Sequence, residues 1–209
     1  MADSNKKIVA IALGIVAGVA GLGLLTWGVV HLINRHYPFT LSDPSAVIVG
    51  KAEKAGDYGI RLHNDSSVTW TIPENDPDTG DKGSIEFDYI PTWNGTDVSV
   101  GGQPIIRLFD DQAPDSDIYL YFNGQDKWEA HIAGETQLDV PQIMVKTVAY
   151  KSYHVRMARK MNQWTIVVDG VLQATHSMPP NRHAAKFVKI MTGSKPANFY
   201  NIEFTSNFV

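Results

Sequence analysis

Two carboxylates, Glu86 and Asp88, stand one residue apart in an alternating run, residues 85–89 (IEFDY). Residues two apart in a strand share a face, so both would project from one side of a sheet. A carboxylate pair about 5–5.5 Å apart can serve as nucleophile and acid/base in glycoside hydrolysis. A solvated strand face has the same spelling and no chemistry. A second group is the acidic loop 110–117 (DDQAPDSD), between the strand-like runs 105–109 and 118–122. Its Asp110, Asp111, Asp115 and Asp117 could give calcium the clustered oxygen ligands a hard cation takes, or simply keep a hairpin loop soluble. The third group is aromatic: Trp93 with Asn94, and Tyr119 and Tyr121 with Asn123 and Trp128. Exposed rings stack on sugar faces while polar neighbours fix the orientation; the same rings could instead fill a core. Tyr119 and Tyr121 alternate with Ile118, Leu120 and Phe122, so one of these two faces must be the less buried.

Other chemistries lack their residues. The chain has no cysteine, which removes disulfides, zinc-thiolate sites and cysteine nucleophiles. Histidines 63, 131, 154, 176 and 183 form no HExxH spacing, and there is no G-x-S-x-G elbow or phosphate-cradling glycine loop. The absence of a nucleophile constellation argues against a hydrolase or transferase. Calcium is the one cofactor the residues suggest. Net charge is −4 over 209 residues. Acids crowd positions 74–139, where the bases are Lys82, Arg107 and Lys127; bases crowd 146–195, where the one acid is Asp169. That asymmetry could steer an anionic partner, unless folding interleaves the two blocks. An acidic domain is a poor ligand for duplex DNA, so no nucleic-acid partner is expected. Asn64-Asp-Ser66 and Asn94-Gly-Thr96 are glycosylation sequons, meaningful only in a eukaryotic secretory lumen.

The apolar excess sits at the N-terminus. From Ile8 to Ile33 no Asp, Glu, Lys or Arg occurs. About 20 apolar residues at about 1.5 Å rise cross a hydrocarbon layer about 30 Å thick. Lys6 and Lys7 flank one end; Arg35, Trp27 and Tyr37 mark the other, as at a membrane interface. A cleaved signal peptide would have a shorter apolar core. The spacing predicts a tail over 1–7, an uncleaved transmembrane helix over 8–34 in contact with the lipid bilayer, a linker over 35–45 and a globular domain over 46–209. The charge count across the span is nearly even, and the domain is expected on the non-cytoplasmic side. Gly14 and Gly18 form a GxxxG that Ala10 extends, and Ala17 and Gly21 continue a neighbouring small stripe, a surface for a helix–helix partner or a homo-oligomer.

Beyond residue 45 the alternation has period two. Ile85, Phe87 and Tyr89 share one phase, as do Tyr153, Val155 and Met157; Trp164, Ile166 and Val168; and Tyr200, Ile202 and Phe204. Each set gives a sheet one apolar face, which needs a second sheet to cover it. Asn94-Gly95, Asn123-Gly124 and Asp169-Gly170 predict tight hairpins between the runs.

Four stretches resemble the concanavalin A-like, laminin-G-like jelly-roll superfamily. Residues 57–73 (DYGIRLHNDSSVTWTIP) look like its opening hairpin, and residues 83–93 (GSIEFDYIPTW) like the strand that follows. Residues 153–171 (YHVRMARKMNQWTIVVDGV) look like its strand pair ending in a VDG turn, and residues 199–204 (FYNIEF) like its closing strand. The resemblance implies an all-β, antiparallel two-sheet jelly-roll sandwich after the transmembrane helix. The superfamily holds lectins, adhesion modules, glycoside hydrolases and structural domains, so fold does not select function. Its laminarinase-type hydrolases carry Glu-x-Asp-x-x-Glu, and here the third carboxylate is missing after Glu86 and Asp88. The expected function is therefore a membrane-anchored, non-enzymatic module for protein or glycan contact. The alternatives are a membrane-anchored minor capsid or coat protein of a virus particle, seated in the virion membrane, and a divergent glycoside hydrolase.

Overall fold

The computed structural model describes residues 34–72, 82–97, 102–113, 117–124, 127–132, 142–143, 145–160, 163–177 and 185–207. Residues 36–207 form one compact unit. This unit is almost wholly strand, as its alternation predicts: β1 Asn34–Pro38, β2 Val47–Val49, β3 Ala52–Lys54, β4 Gly59–Leu62, β5 Ser67–Thr71, β6 Lys82–Pro91, β7 Gln103–Phe109, β8 Ile118–Gly124, β9 Lys127–Ile132, β10 Gln142–Ile143, β11 Tyr153–Lys160, β12 Gln163–Val168, β13 Val171–Ser177, β14 Phe187–Met191 and β15 Ala197–Asn207. Among the described residues these build two sheets. One has the order β13-β12-β11-β6-β15-β4-β3, with β1 also on β15; the other has the order β10-β9-β8-β7-β14-β5-β2. The ladders linking β2 through β15 are antiparallel.

The apolar faces meet in one core, as the sandwich reading requires. Ile85, Phe87, Tyr89, Tyr153, Val155, Met157, Trp164, Ile166 and Val168 are all buried. Trp128 of the second sheet packs edge-on against Tyr89 and Tyr153 of the first, at 5.7 and 5.3 Å between ring centroids. The polar ends of these rings are satisfied: Trp128 Nε1 donates to Thr147 Oγ1 at 2.8 Å, and Tyr153 Oη to the Lys146 carbonyl at 2.6 Å. A buried ring needs such partners, because an unmet donor costs about 1–3 kcal/mol.

Several local expectations differ from the structure. Residues 57–73 are not a hairpin: β4 lies in the first sheet and β5 in the second. The intervening corner crosses the sandwich and is tied by Asp65 N to the Gly193 carbonyl (2.7 Å) and by Ser66 Oγ, which accepts Lys51 N at 2.9 Å. The alternation at the closing strand slips: Phe199, Ile202 and Phe204 are buried while Tyr200 is only half-buried. The cause is a bulge between Tyr200 and Glu203, with Asn201 at φ 51°; one extra residue reverses the phase of a strand. Asn94-Gly95 begins a 3-10 turn, Gly95–Asp97, rather than a hairpin. By contrast Asp169 (φ 52°) and Gly170 (φ 77°) link β12 and β13 directly, the paired left-handed residues of a type I′ turn.

The expected linker 35–45 opens as strand, since β1 pairs with β15. Phe39 N then donates to the Ile202 carbonyl (2.8 Å), the Phe39 ring stacks on Trp70 at 5.4 Å, and Trp70 Nε1 donates to the Thr40 carbonyl at 2.9 Å. The segment is ordered because its apolar side chain is needed in the core. Among the described residues no helix is long and apolar enough to cross a membrane. The expected span, with Gly14, Gly18 and Gly21, lies outside them apart from Asn34.

Candidate functional site

Strand β8 alternates without interruption: Ile118, Leu120 and Phe122 are buried, while Tyr119, Tyr121 and Asn123 are half-buried on the outer face. Strand β9 does the same, with Trp128 and Ala130 inward and Lys127, Glu129 and His131 outward. The ladder sets Tyr119 opposite His131 and Tyr121 opposite Glu129. On the other side of β8, a bulge between Pro104 and Ile106 brings Arg107 opposite Tyr119, and Lys189 of β14 lies opposite Arg107. His131, Tyr119, Arg107 and Lys189 thus form one straight row across four strands. Cross-strand neighbours on one face are about 4.5–5.5 Å apart, which sets the four residues side by side along the row.

The rings pack on one another. Tyr119 and His131 are stacked at 5.0 Å and 15° between planes; Tyr121 lies 4.9 Å from His131 and 5.7 Å from Tyr119. Tyr121 Oη donates to Glu129 Oε2. The phenol oxygen lies 2.6 Å from His131 Nε2 and, its proton being given to the carboxylate, accepts from that nitrogen. Asn123 Nδ2 donates to Glu129 Oε1, while Asn123 Oδ1 has no hydrogen-bond partner among the described residues. Arg107 grips Asp117 bidentately, Nε to Oδ1 at 2.8 Å and Nη2 to Oδ2 at 2.7 Å, and lies 4.4 Å over the Phe109 ring.

Electrostatics favour neutral phenols. Burial first, and then the bond to Glu129, push the Tyr121 phenol well above its usual range. Burial and the Asp117 charge raise Tyr119, with Arg107 opposing. Asp117 holds the Arg107 guanidinium even more firmly charged. The face thus offers aromatic edges, the Tyr119 phenol and two cations, Arg107 and Lys189.

The structure separates the other residues named from sequence. Trp93 and Trp128 are buried and cannot stack a ligand; Trp93 packs on Phe122 at 5.0 Å. Asn94 staples a loop, its Oδ1 accepting Ala149 N at 3.0 Å and its Nδ2 donating to Asp97. Asp110 is buried and faces Lys186 Nζ at 2.8 Å, Asp117 is held by Arg107, Asp111 is exposed, and Asp115 lies outside the described residues. Among the described residues no three His, Asp or Glu are grouped to hold a metal ion. Glu86 and Asp88 share the outer face of the other sheet. Glu86 Oε1 pairs with Arg156 Nε at 2.9 Å; Asp88 meets His154 Nδ1 at 2.9 Å and accepts Asn201 Nδ2 at 2.7 Å. These contacts and Asp110–Lys186 show the acidic and basic blocks interleaved by folding. Sequence reasoning missed Arg107, Glu129 and His131, although the alternation of residues 127–131 (KWEAH) marks Trp128 inward and its neighbours outward.

Comparison with solved structures agrees on the fold. The binding domain of botulinum neurotoxin serotype D superposes with a TM-score of 0.59 at 9% identity, over 78% of this chain and 43% of that one. A sialidase gives 0.57 at 14%, over 77% and 17%. The binding domain of botulinum neurotoxin DC, solved in complex with SialylT, gives 0.58 at 13%, over 77% and 42%. The chain therefore spans less than half the length of these structures, and at such identity they establish a shared β-sandwich and nothing finer. No protein-family model matches the chain. No curated protein matches it either.

Proposed function

We propose that the protein is a non-enzymatic binding module, held at a membrane by residues 8–34, that recognises glycan through the outer face of β7, β8 and β9. The observation that carries this reading is the Tyr119–Tyr121–His131 ring cluster, bordered by Arg107 and Glu129. Sugars are bound by aromatic surface together with a few placed polar groups, and Arg107 and Glu129 stand beside the rings. Two of the similar structures accord with it: one was solved with SialylT, and another concerns neurotoxin entry through two ganglioside molecules. An enzymatic reading finds less support. Tyr121 is held protonated, the opposite of what a phenolate nucleophile needs, and Glu86 and Asp88 are occupied by Arg156, His154 and Asn201.

The test is a glycan array probed with the full chain in maltoside micelles, beside Tyr119→Ala. A defined set of bound glycans, lost in the variant, supports the reading; a silent array sinks it. Alkaline extraction tests the anchor: the full chain should stay with the membrane pellet and a chain starting at residue 36 should not.

A second reading, a scaffold or coat protein, rests on the sheet edges. Val47 and Val49 on β2 and Val171 and Leu172 on β13 are exposed, and open edges with apolar side chains invite partner strands. A silent array together with a defined assembly in cross-linking would favour it.

A further inference from the structure

Tyr58 is the wall between two clefts of the first sheet's edge. The larger, about 310 Å³, is lined by Phe39, Lys54 and Asp57 among others; the smaller, about 250 Å³, by Asn201 and Glu203; both share Phe39 and Tyr58. The Tyr58 ring is 69% exposed, yet its backbone is fixed. Asn201 N donates to the Tyr58 carbonyl at 3.1 Å, and Ala55 N to the Gly59 carbonyl at 2.8 Å. Gly59 is wedged so tightly that a Cβ there would stand 2.0 Å from the Ala55 carbonyl oxygen and 2.3 Å from the Tyr200 ring. The fixed backbone thus keeps a large aromatic out of the core, where burial would otherwise gain about 1.5–3 kcal/mol.

The charges of the two clefts differ in their commitments. In the smaller one Glu203 is engaged by His36, and Asn201 by Asp88. In the larger one the Lys54 and Asp57 side chains form no hydrogen bond or ion pair with the described residues, although the neighbouring Lys51 pairs with Glu53 at 2.7 Å. A cation and an anion on the walls of one cleft, too far apart to neutralise each other, leave room for a ligand bearing both complements. The aromatic ring between the clefts adds a face that attracts alkylammonium groups.

The geometry points to the larger cleft as a binding site for a small zwitterion of the phosphocholine type: ammonium on Tyr58 and Asp57, phosphate on Lys54. Such a group can be free or the headgroup of a phospholipid. The cleft shares no residue with the Tyr119–His131 face, so either site can fail without the other.

Calorimetry of the full chain in maltoside micelles with phosphocholine, choline and inorganic phosphate tests the site. Phosphocholine should bind saturably. Tyr58→Ala and Asp57→Asn should each weaken phosphocholine and choline by about tenfold or more. Lys54→Gln should weaken phosphocholine and leave choline unchanged. All three positions are exposed, and an unchanged melting temperature checks that the variants fold. Hydrogen exchange over residues 54–60 separates the sources. Protection in phosphatidylcholine nanodiscs but not phosphatidylglycerol nanodiscs identifies the lipid headgroup. Protection in phosphatidylglycerol nanodiscs only on adding free phosphocholine identifies the soluble group. No phosphocholine binding by calorimetry, or binding that Tyr58→Ala leaves intact, overturns the assignment.

Discussion

Tyr119 and His131 lie face to face across the β8–β9 ladder, 5.0 Å apart and only 15° from parallel. Neither ring is packed into the core, so their stacking is a surface device whose loss should be cheap to the fold. Tyr119→Ala is expected to lower stability by about 0.5–1.5 kcal/mol, the worth of an aromatic pair, while weakening glycan binding about tenfold or more. Urea titration and array intensity, read on the same preparation, check the two halves of this expectation.

Tyr121 is different, because its hydroxyl serves two partners. Tyr121→Phe keeps the ring and removes the donor to Glu129 and the acceptor for His131. Leaving half-buried polar groups unmet should cost about 1–3 kcal/mol, more than Tyr119→Ala despite the smaller chemical change. Adding Glu129→Gln to Tyr121→Phe should recover part of the loss, and a double-mutant cycle measures it.

Asp117 and Asp110 bear on calcium. A metal in the 110–117 loop would have to displace Arg107 from one carboxylate and Lys186 from the other. Millimolar calcium is therefore expected to leave the melting temperature unmoved, where a bound ion would raise it by mass action. The Arg107–Asp117 pair, partly open to solvent, should show a coupling of about 1 kcal/mol in a double-mutant cycle.

Glu53 gives a pH signature. The Lys51 ammonium first, at 2.7 Å, and the His63 ring second, at 3.2 Å, hold its carboxyl down to about 2, from an ordinary 4.5. As pH falls the unfolded chain takes up this proton before the folded one does. The contribution of the pair is complete above pH 4.5 and fades between there and about 2. The difference in urea midpoint between the native chain and Glu53→Gln should accordingly be largest near neutrality and vanish at the acid end.

Much of the sandwich was legible in alternation alone. Ile85, Phe87 and Tyr89 on β6 and Trp164, Ile166 and Val168 on β12 all face inward as their spacing requires, because a regular strand cannot place them otherwise. Tyr200 defeated the same rule, since the bulge at Asn201 inserts a residue that no local pattern announces. The 57–73 corner was misread for a related reason. A polar turn between two apolar runs is spelled alike whether the strands pair with each other or part into opposite sheets. At the candidate site, Tyr119, Tyr121 and Asn123 could be read from β8. Their partners could not, because Arg107, Glu129 and His131 join them only through register, which the ladder and the Pro104–Ile106 bulge decide. Trp93 and Trp128 show the opposite limit: residue type suggests a sugar platform, and burial alone makes them core.

Strand β1 has a mechanical consequence. With Asn34–Pro38 laddered onto β15, His36 paired to Glu203 and Phe39 stacked on Trp70, the body begins without slack. A pull on the N-terminal end of β1 meets these hydrogen bonds directly. Its earliest rupture is the peeling of β1, which would lay bare the flank of β15 while the rest of the sandwich stays closed.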